Sequence, residues 1–237
     1  MIRIKAYQAY AHFRERTGFL SKRSFEFPPY STVIGMVHSV CGWKEPHRMK
    51  VSIACQGIYN ESTLRRNWTG GHVTSSPNKE FYDRYNTVVD AGDGVHKVGW
   101  VNGVMKENFL SDVNYIFHIE SEFEDEILKG LNNPKVYPAL GRRGDLLRID
   151  EIKKLSEVND AAVEKKWVYP LLIPIDLLTS DLEFATIYNV DYMYERYVKG
   201  KNIDRREFEE VECVFAYPNS IDANLQYDED GYPIALC

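Results

Sequence analysis

The chain has 237 residues, 44% of them hydrophobic and 27% charged, which is enough to bury a large core and excludes a chain dominated by disorder. No apolar run approaches the roughly 18 residues of a membrane span, and Arg3, Lys5, Arg14 and Arg16 interrupt the first twenty positions, so a soluble, unexported, cytoplasmic protein is expected, with no membrane partner. The net charge of -6 conceals an asymmetry, because residues 1–50 hold nine basic against three acidic side chains while residues 151–237 hold nine against eighteen; a polyanion on one side and a protein on the other suit this division, and so does a mixed solvated surface.

Ile2 to Tyr7 alternates apolar and polar side chains with period two, the mark of a half-buried strand. After a basic loop from Arg14 to Arg23, Pro28 and Pro29 close off any earlier element. Ser31 then reads as an N-cap, Val33, Ile34, Val37, Val40 and Cys41 as one helical face, and Gly42 as a C-cap glycine. Strands follow over Met49 to Cys55 and Val113 to Ile119. Between them, residues 57–112 are rich in Gly, Asn, Asp and aromatic residues without apolar period, which predicts a projecting loop or hairpin rather than a core element. Glu122 to Leu131 carries acidic residues in its first turn and reads as a second helix, and Leu146 to Ile149 as a fourth strand.

The order strand, helix, strand, insertion, strand, helix, strand is that of an α+β, ferredoxin-like sandwich resembling an RNA-recognition motif, and it predicts a domain over residues 1–150. Residues 151–237 combine a charged stretch, an apolar run from Trp167 to Leu178 broken by Pro170 and Pro174, and a weak strand pattern from Phe184 to Tyr197. They predict a β-rich C-terminal extension.

Nucleotide-binding, zinc-hydrolase, serine-hydrolase and deaminase signatures are absent, and the six histidines stand singly, so no catalytic set is read. Cys41, Cys55, Cys213 and Cys237 lie far apart without a C-x-x-C pair and read as reduced thiols; neither a metal nor a cofactor is expected. The signals that remain concern anions and single strands. Ser31 and Thr32 open a helix whose free N–H groups and dipole favour a phosphate, with Arg14, Arg16, Lys22 and Arg23 in the basic loop before it. Arg142 and Arg143 sit in a turn bounded by Gly141 and Gly144 and offer two guanidiniums to a phosphate backbone. Arg65, Arg66 and Trp68 put charge beside a ring suited to an unstacked base. An ordinary helix cap, a surface β-turn and an exposed loop explain the same residues.

The segments Tyr10 to Arg14, Phe27 to Met36 and Cys41-Gly42-Trp43, followed by Tyr137-Pro138-Ala139-Leu140-Gly141-Arg142-Arg143-Gly144-Asp145-Leu146-Leu147, resemble the signature of the Cas-five family of CRISPR-associated RAMP proteins, most like its type I-B members. The resemblance implies a non-catalytic subunit of a type I Cascade effector complex in antiviral defence. Such a subunit caps the 5′ handle of the guide RNA, contacts the backbone and large subunits, meets target DNA only through the complex, and uses its insertion as a thumb. Tyr30 enters as an RNA contact, and also as a partner for His96 and Lys97 in the alternative reading, a metal-independent endoribonuclease like one branch of that family. A purely structural assembly subunit is the third possibility.

Overall fold

The computed structural model of the chain describes residues 1–15, 21–85, 87–161, 165–179, 185–198 and 205–237, with backbone alone at 21, 61–71, 102, 104, 105, 195–198, 205 and 206. Its principal elements are β1 (Ile2–Ala11), α1 (Tyr30–Cys41), β2 (Lys50–Thr74), α2 (Lys79–Arg84), β3 (Thr87–Asp90), β4 (Lys97–Glu120), α3 (Glu124–Asn132), β5 (Arg148–Lys154), β6 (Leu171–Pro174), β7 (Ile187–Val198), β8 (Arg205–Ala216), β9 (Gln226–Asp228) and β10 (Pro233–Ile234). The protein is therefore a strand-rich α/β molecule. It divides into two compact units, one of Met1–Arg14, Phe25–Tyr59 and Phe109–Cys237, the other of Glu15–Ser24 and Asn60–Asn108. Among the described residues, the strands after residue 151 fall in the first unit, and Lys22 and Arg23 of the basic loop fall in the second.

In the first unit the sheet runs β7-β8-β6-β2-β4-β1-β5. β1 lies antiparallel to both neighbours, with Ile4 opposite Phe117 on β4 and Ile152 on β5. Period two sends Ile2, Ile4 and Ala6 of β1, Val51 and Ile53 of β2, and Val113, Tyr115, Phe117 and Ile119 of β4 to one face. There they pack with Val33, Val37 and Val40 of α1 and Ile127 and Leu131 of α3. Full burial of each such aliphatic side chain contributes about 1.5–3 kcal/mol.

Helix α1 starts one residue before the expected cap. Pro29, not Ser31, is the N-cap, without a side-chain bond; its backbone is already extended and its carbonyl accepts the Thr32 N–H at 2.9 Å. Gly42 fills the left-handed C-cap position at φ 69. Helix α3 runs to Asn132, one residue beyond the expected Leu131, and contains Gly130. A Cβ on that glycine would stand 2.6 Å from Cys41 Sγ, so it sets the close approach of α1 and α3.

The last strand of this centre begins at Arg148 and runs to Lys154, later than Leu146 to Ile149, because Leu146 instead bridges back to Ala139 while Leu147 turns into the core. Cys41, Cys55 and Cys213 are buried free thiols, and burial pushes Cys213 up to about 12.

The opposite sheet face is covered as well. Ala54, Ile116, Leu171, Ile173, Val214 and Ala216 meet Leu225, Tyr227 and Ala235 from the C-terminal residues. Beside them Arg3, only 2% exposed, bonds Asp228 at 2.6 Å, Asp230 at 2.7 Å and Glu151 at 2.7 Å. His118 Nε2 lies 3.1 Å from Asp228.

In the second unit, residues 97–107 of β4 pair antiparallel with β3 and parallel with Ser21–Lys22. The Asn78 side chain caps α2 by accepting the Phe81 N–H at 2.9 Å, and buried Phe81 packs on Tyr85 and His72. The long segment between the expected strands is therefore built from extensions of β2 and β4 together with α2 and β3, and it has an aromatic core of its own. Its rings come from a strand (His72), a helix (Phe81) and that helix's C-cap (Tyr85), so no single apolar period gathers them.

Candidate nucleic-acid interface

The end of β1 and the loop before β5 meet through one left-handed glycine. Gly141 takes φ 87, and a Cβ there would stand 2.8 Å from the His12 carbonyl oxygen and 3.2 Å from the Phe13 ring. Gln8 holds the loop from within: its Nε2 donates to the Leu140 carbonyl at 2.9 Å and the Asp145 carbonyl at 2.6 Å, while its Oε1 accepts the Tyr115 hydroxyl at 2.9 Å. Burial pushes the Tyr115 phenol well above its ordinary range, so it stays a donor. Leu140 N–H donates to Asp145 O, Asp145 N–H to Arg142 O, and Leu147 N–H to Pro138 O, which closes residues 138–147 into a braced hairpin.

The two arginines of this loop differ. Arg142 is half-buried and turned onto Asp145, with Nε to Oδ2 at 2.8 Å and Nη2 to Oδ1 at 3.3 Å, so much of its charge is met within the loop. Arg143 is exposed. Arg14, also exposed, follows the Phe13 on which Gly141 rests. The fold therefore gathers Arg14, Arg142 and Arg143 at one end of the first unit, a grouping no spacing in the sequence discloses.

The other expected contacts fall elsewhere. Ser31 and Thr32 are half-buried in the first turn of α1. Tyr30 is a correction: it is fully buried, its hydroxyl lies 3.5 Å from the Leu172 carbonyl, and Tyr192 meets its ring edge-on, so it belongs to the core. Its neighbour Pro29 starts the helix, and the helix's inward face begins at Tyr30 itself. Lys22, in register with Glu107, and exposed Arg23 belong to the second unit. Arg16 lies outside the described residues, as do the side chains of Arg65, Arg66 and Trp68, whose backbone is part of β2.

His96 and Lys97 are both held by aspartates. His96 Nδ1 contacts Asp93, and Lys97 Nζ lies 2.9 Å from Asp90. The His96 backbone and side-chain bonds hold the Asp93 carboxyl well below the usual range, and the Lys97 bond lowers Asp90. Among the described residues no group of three or more His, Cys, Asp or Glu side chains is placed to hold a metal ion, and no helix is long and apolar enough to cross a membrane.

Sequence reading missed Gln8 and the Arg3 cluster. Gln8 occupies the inward register of Ile2, Ile4 and Ala6, and a polar residue in that register is the signal that points to it.

A family profile described as "CRISPR-associated protein (Cas_Cas5)" matches residues 1–214. No curated protein matches the sequence. Among solved structures, one chain of a "CRISPR RNA-guided surveillance complex" is similar over 93% of this chain and 92% of its own, with 15% identity and a TM-score of 0.54. A chain described as a Cas protein is similar over 99% and 98%, with 14% identity and a TM-score of 0.44. A CRISPR protein from Archaeoglobus fulgidus aligns over 100% of both chains, with 11% identity and a TM-score of 0.43.

Proposed function

Because the chain belongs to the Cas5 family of CRISPR-associated proteins, we propose that it is a non-catalytic subunit of a type I effector complex that holds the 5′ handle of the guide RNA, beside a backbone and a large subunit. The observation that carries this reading is the braced loop, where Gly141 seats residues 138–147 on the end of β1 and leaves Arg143 and Arg14 in solvent. The strand order β5-β1-β4-β2, with α1 and α3 on one face, supports a ferredoxin-like centre. An RNA-recognition motif stacks bases on the open face of its sheet. Here the C-terminal residues and the Arg3 cluster occupy much of that face, which favours the loop end for RNA.

The enclosed Tyr30 hydroxyl and the aspartate-bound His96 and Lys97 support a non-catalytic role. In that role the expected product of incubating the protein with repeat RNA in EDTA is intact RNA. The test of the RNA site itself is binding of the repeat-derived 5′ end as a function of salt. Replacing Arg14 and Arg143 together by Ala should weaken affinity and flatten the slope of log K against log[salt] by about 1.4, since each lost phosphate contact on a single strand removes roughly 0.7. An unchanged affinity and slope would refute the site.

A further inference from the structure

We propose that Tyr137 is a base-stacking residue, the platform on which one unpaired nucleobase rests while its neighbouring phosphate meets Arg143; this rests on the RNA-binding reading above. The backbone that carries the ring is fixed on both sides. Lys135 N–H donates to the Val40 carbonyl at 3.1 Å, Leu147 N–H donates to the Pro138 carbonyl at 2.9 Å, and Pro138 is itself buried. A residue before proline is biased towards extended backbone, which further restricts the main chain that carries the ring.

Yet Tyr137 is 74% exposed, and among the described residues its ring meets no other aromatic ring. The Ala139–Leu146 bridge and the period of two along each arm place Tyr137 and Leu146 on the same side of the hairpin, and Leu146 is 53% exposed. A rigid backbone thus holds a ring and an aliphatic side chain in water at the foot of a loop whose tip carries arginine. The fold needs neither exposure: Leu140 and Leu147, on the same arms, supply the buried contacts.

Single-strand sites combine cations that follow the backbone with rings that take base faces. The charge at the tip is the positive one of exposed Arg143, while Arg148 at the foot, opposite Tyr7 on β1, is met by Asp150 at 2.6 Å. That sign suits a nucleic acid and supplies the phosphate contact that a stacked base requires.

The test uses the full-length chain and a labelled single-stranded RNA copying the repeat-derived 5′ end of the guide. Tyr137→Ala should weaken binding about tenfold while leaving the salt slope unchanged, because a stacked base releases no counterion. Tyr137→Trp and Tyr137→Phe should bind as the unaltered chain does, and Tyr137→Leu should not. An RNA with one abasic nucleotide, moved along the strand, should find a position where loss of the base weakens the unaltered chain but not Tyr137→Ala.

Full binding by Tyr137→Ala or Tyr137→Leu overturns the stacking role. So does normal RNA binding by Tyr137→Ala combined with poor incorporation into the effector complex, which would make the ring a protein contact. If the unaltered chain binds no such RNA, the proposed function falls and the stacking role with it. If Arg143→Ala flattens the salt slope while Tyr137→Ala binds fully, only the stacking role is lost.

Discussion

His118 lies 1% exposed on β4, facing Asp228 on β9 and Arg3 on β1, and burial lowers its pKa from 6.5 although the Asp228 bond opposes that shift. A histidine depressed in the folded state stays neutral where the unfolded chain takes up a proton. Its contribution is therefore fully present above about pH 6.5 and is lost as pH falls from there through the folded value. His38 follows the same sign, because burial lowers it too; its Nδ1 lies 2.8 Å from the Ile34 carbonyl and its Nε2 accepts the His47 N–H at 2.9 Å. Replacing His118 by Gln keeps an N–H donor for Asp228 without a titrating ring. We expect urea midpoints of the unaltered protein to fall between about pH 7 and 5, and those of His118→Gln to fall clearly less. An identical pH slope in the two proteins would show that His118 is not buried in its neutral form.

At the scale of elements, the parts readable from sequence are those whose period matches one buried face. β1 and α1 are legible for that reason: Ile2, Ile4 and Ala6 repeat every second residue, and Val33, Val37 and Val40 recur with helical spacing. The second unit is not, because its contacts are aromatic and cross between elements. Gly99 on β4 illustrates this, since a Cβ there would stand 2.5 Å from the Tyr85 ring and 2.8 Å from Phe81. Gly99→Val should overpack this small core at a cost of about 1–3 kcal/mol. Hydrogen exchange should accelerate over residues 72–108 while amides of residues 2–8 and 113–119 keep their protection. Uniform loss of protection across the chain would mean that the two units open together.

For the whole molecule, the C-terminal residues close over the sheet through a buried charge. Asp228 is fully enclosed. Although burial works against its ionised form, bonds from His118 and Arg3 hold its carboxyl well below the usual range. For Arg3, burial likewise opposes the charge, but bonds from Asp228, Glu151 and Asp230 outweigh it and hold the guanidinium above its ordinary value. Removing one partner of a buried pair leaves the other charge unmet. Asp228→Ala should therefore destabilise the protein by about 3 kcal/mol in denaturant unfolding, far more than Asp150→Ala, whose Arg148 partner is exposed. Equal effects of the two substitutions would show that the cluster is not closed to water.

The sequence by itself determined the alternation of strands and helices, the glycine that ends α1, and the cationic character of the two segments that meet at the loop, because each depends on neighbours within a few residues. Only the tertiary structure decided that Tyr30 belongs to the core, that Arg142 turns onto Asp145 while Arg143 stays in solvent, and that Arg3, counted among the basic residues of the first fifty, lies sealed under residues 226–232. Charge and ring are properties of one side chain and can be read off a line. Whether that side chain faces water or a carboxylate depends on what long-range strand pairing brings against it, and Arg3 and Asp228 are 225 residues apart.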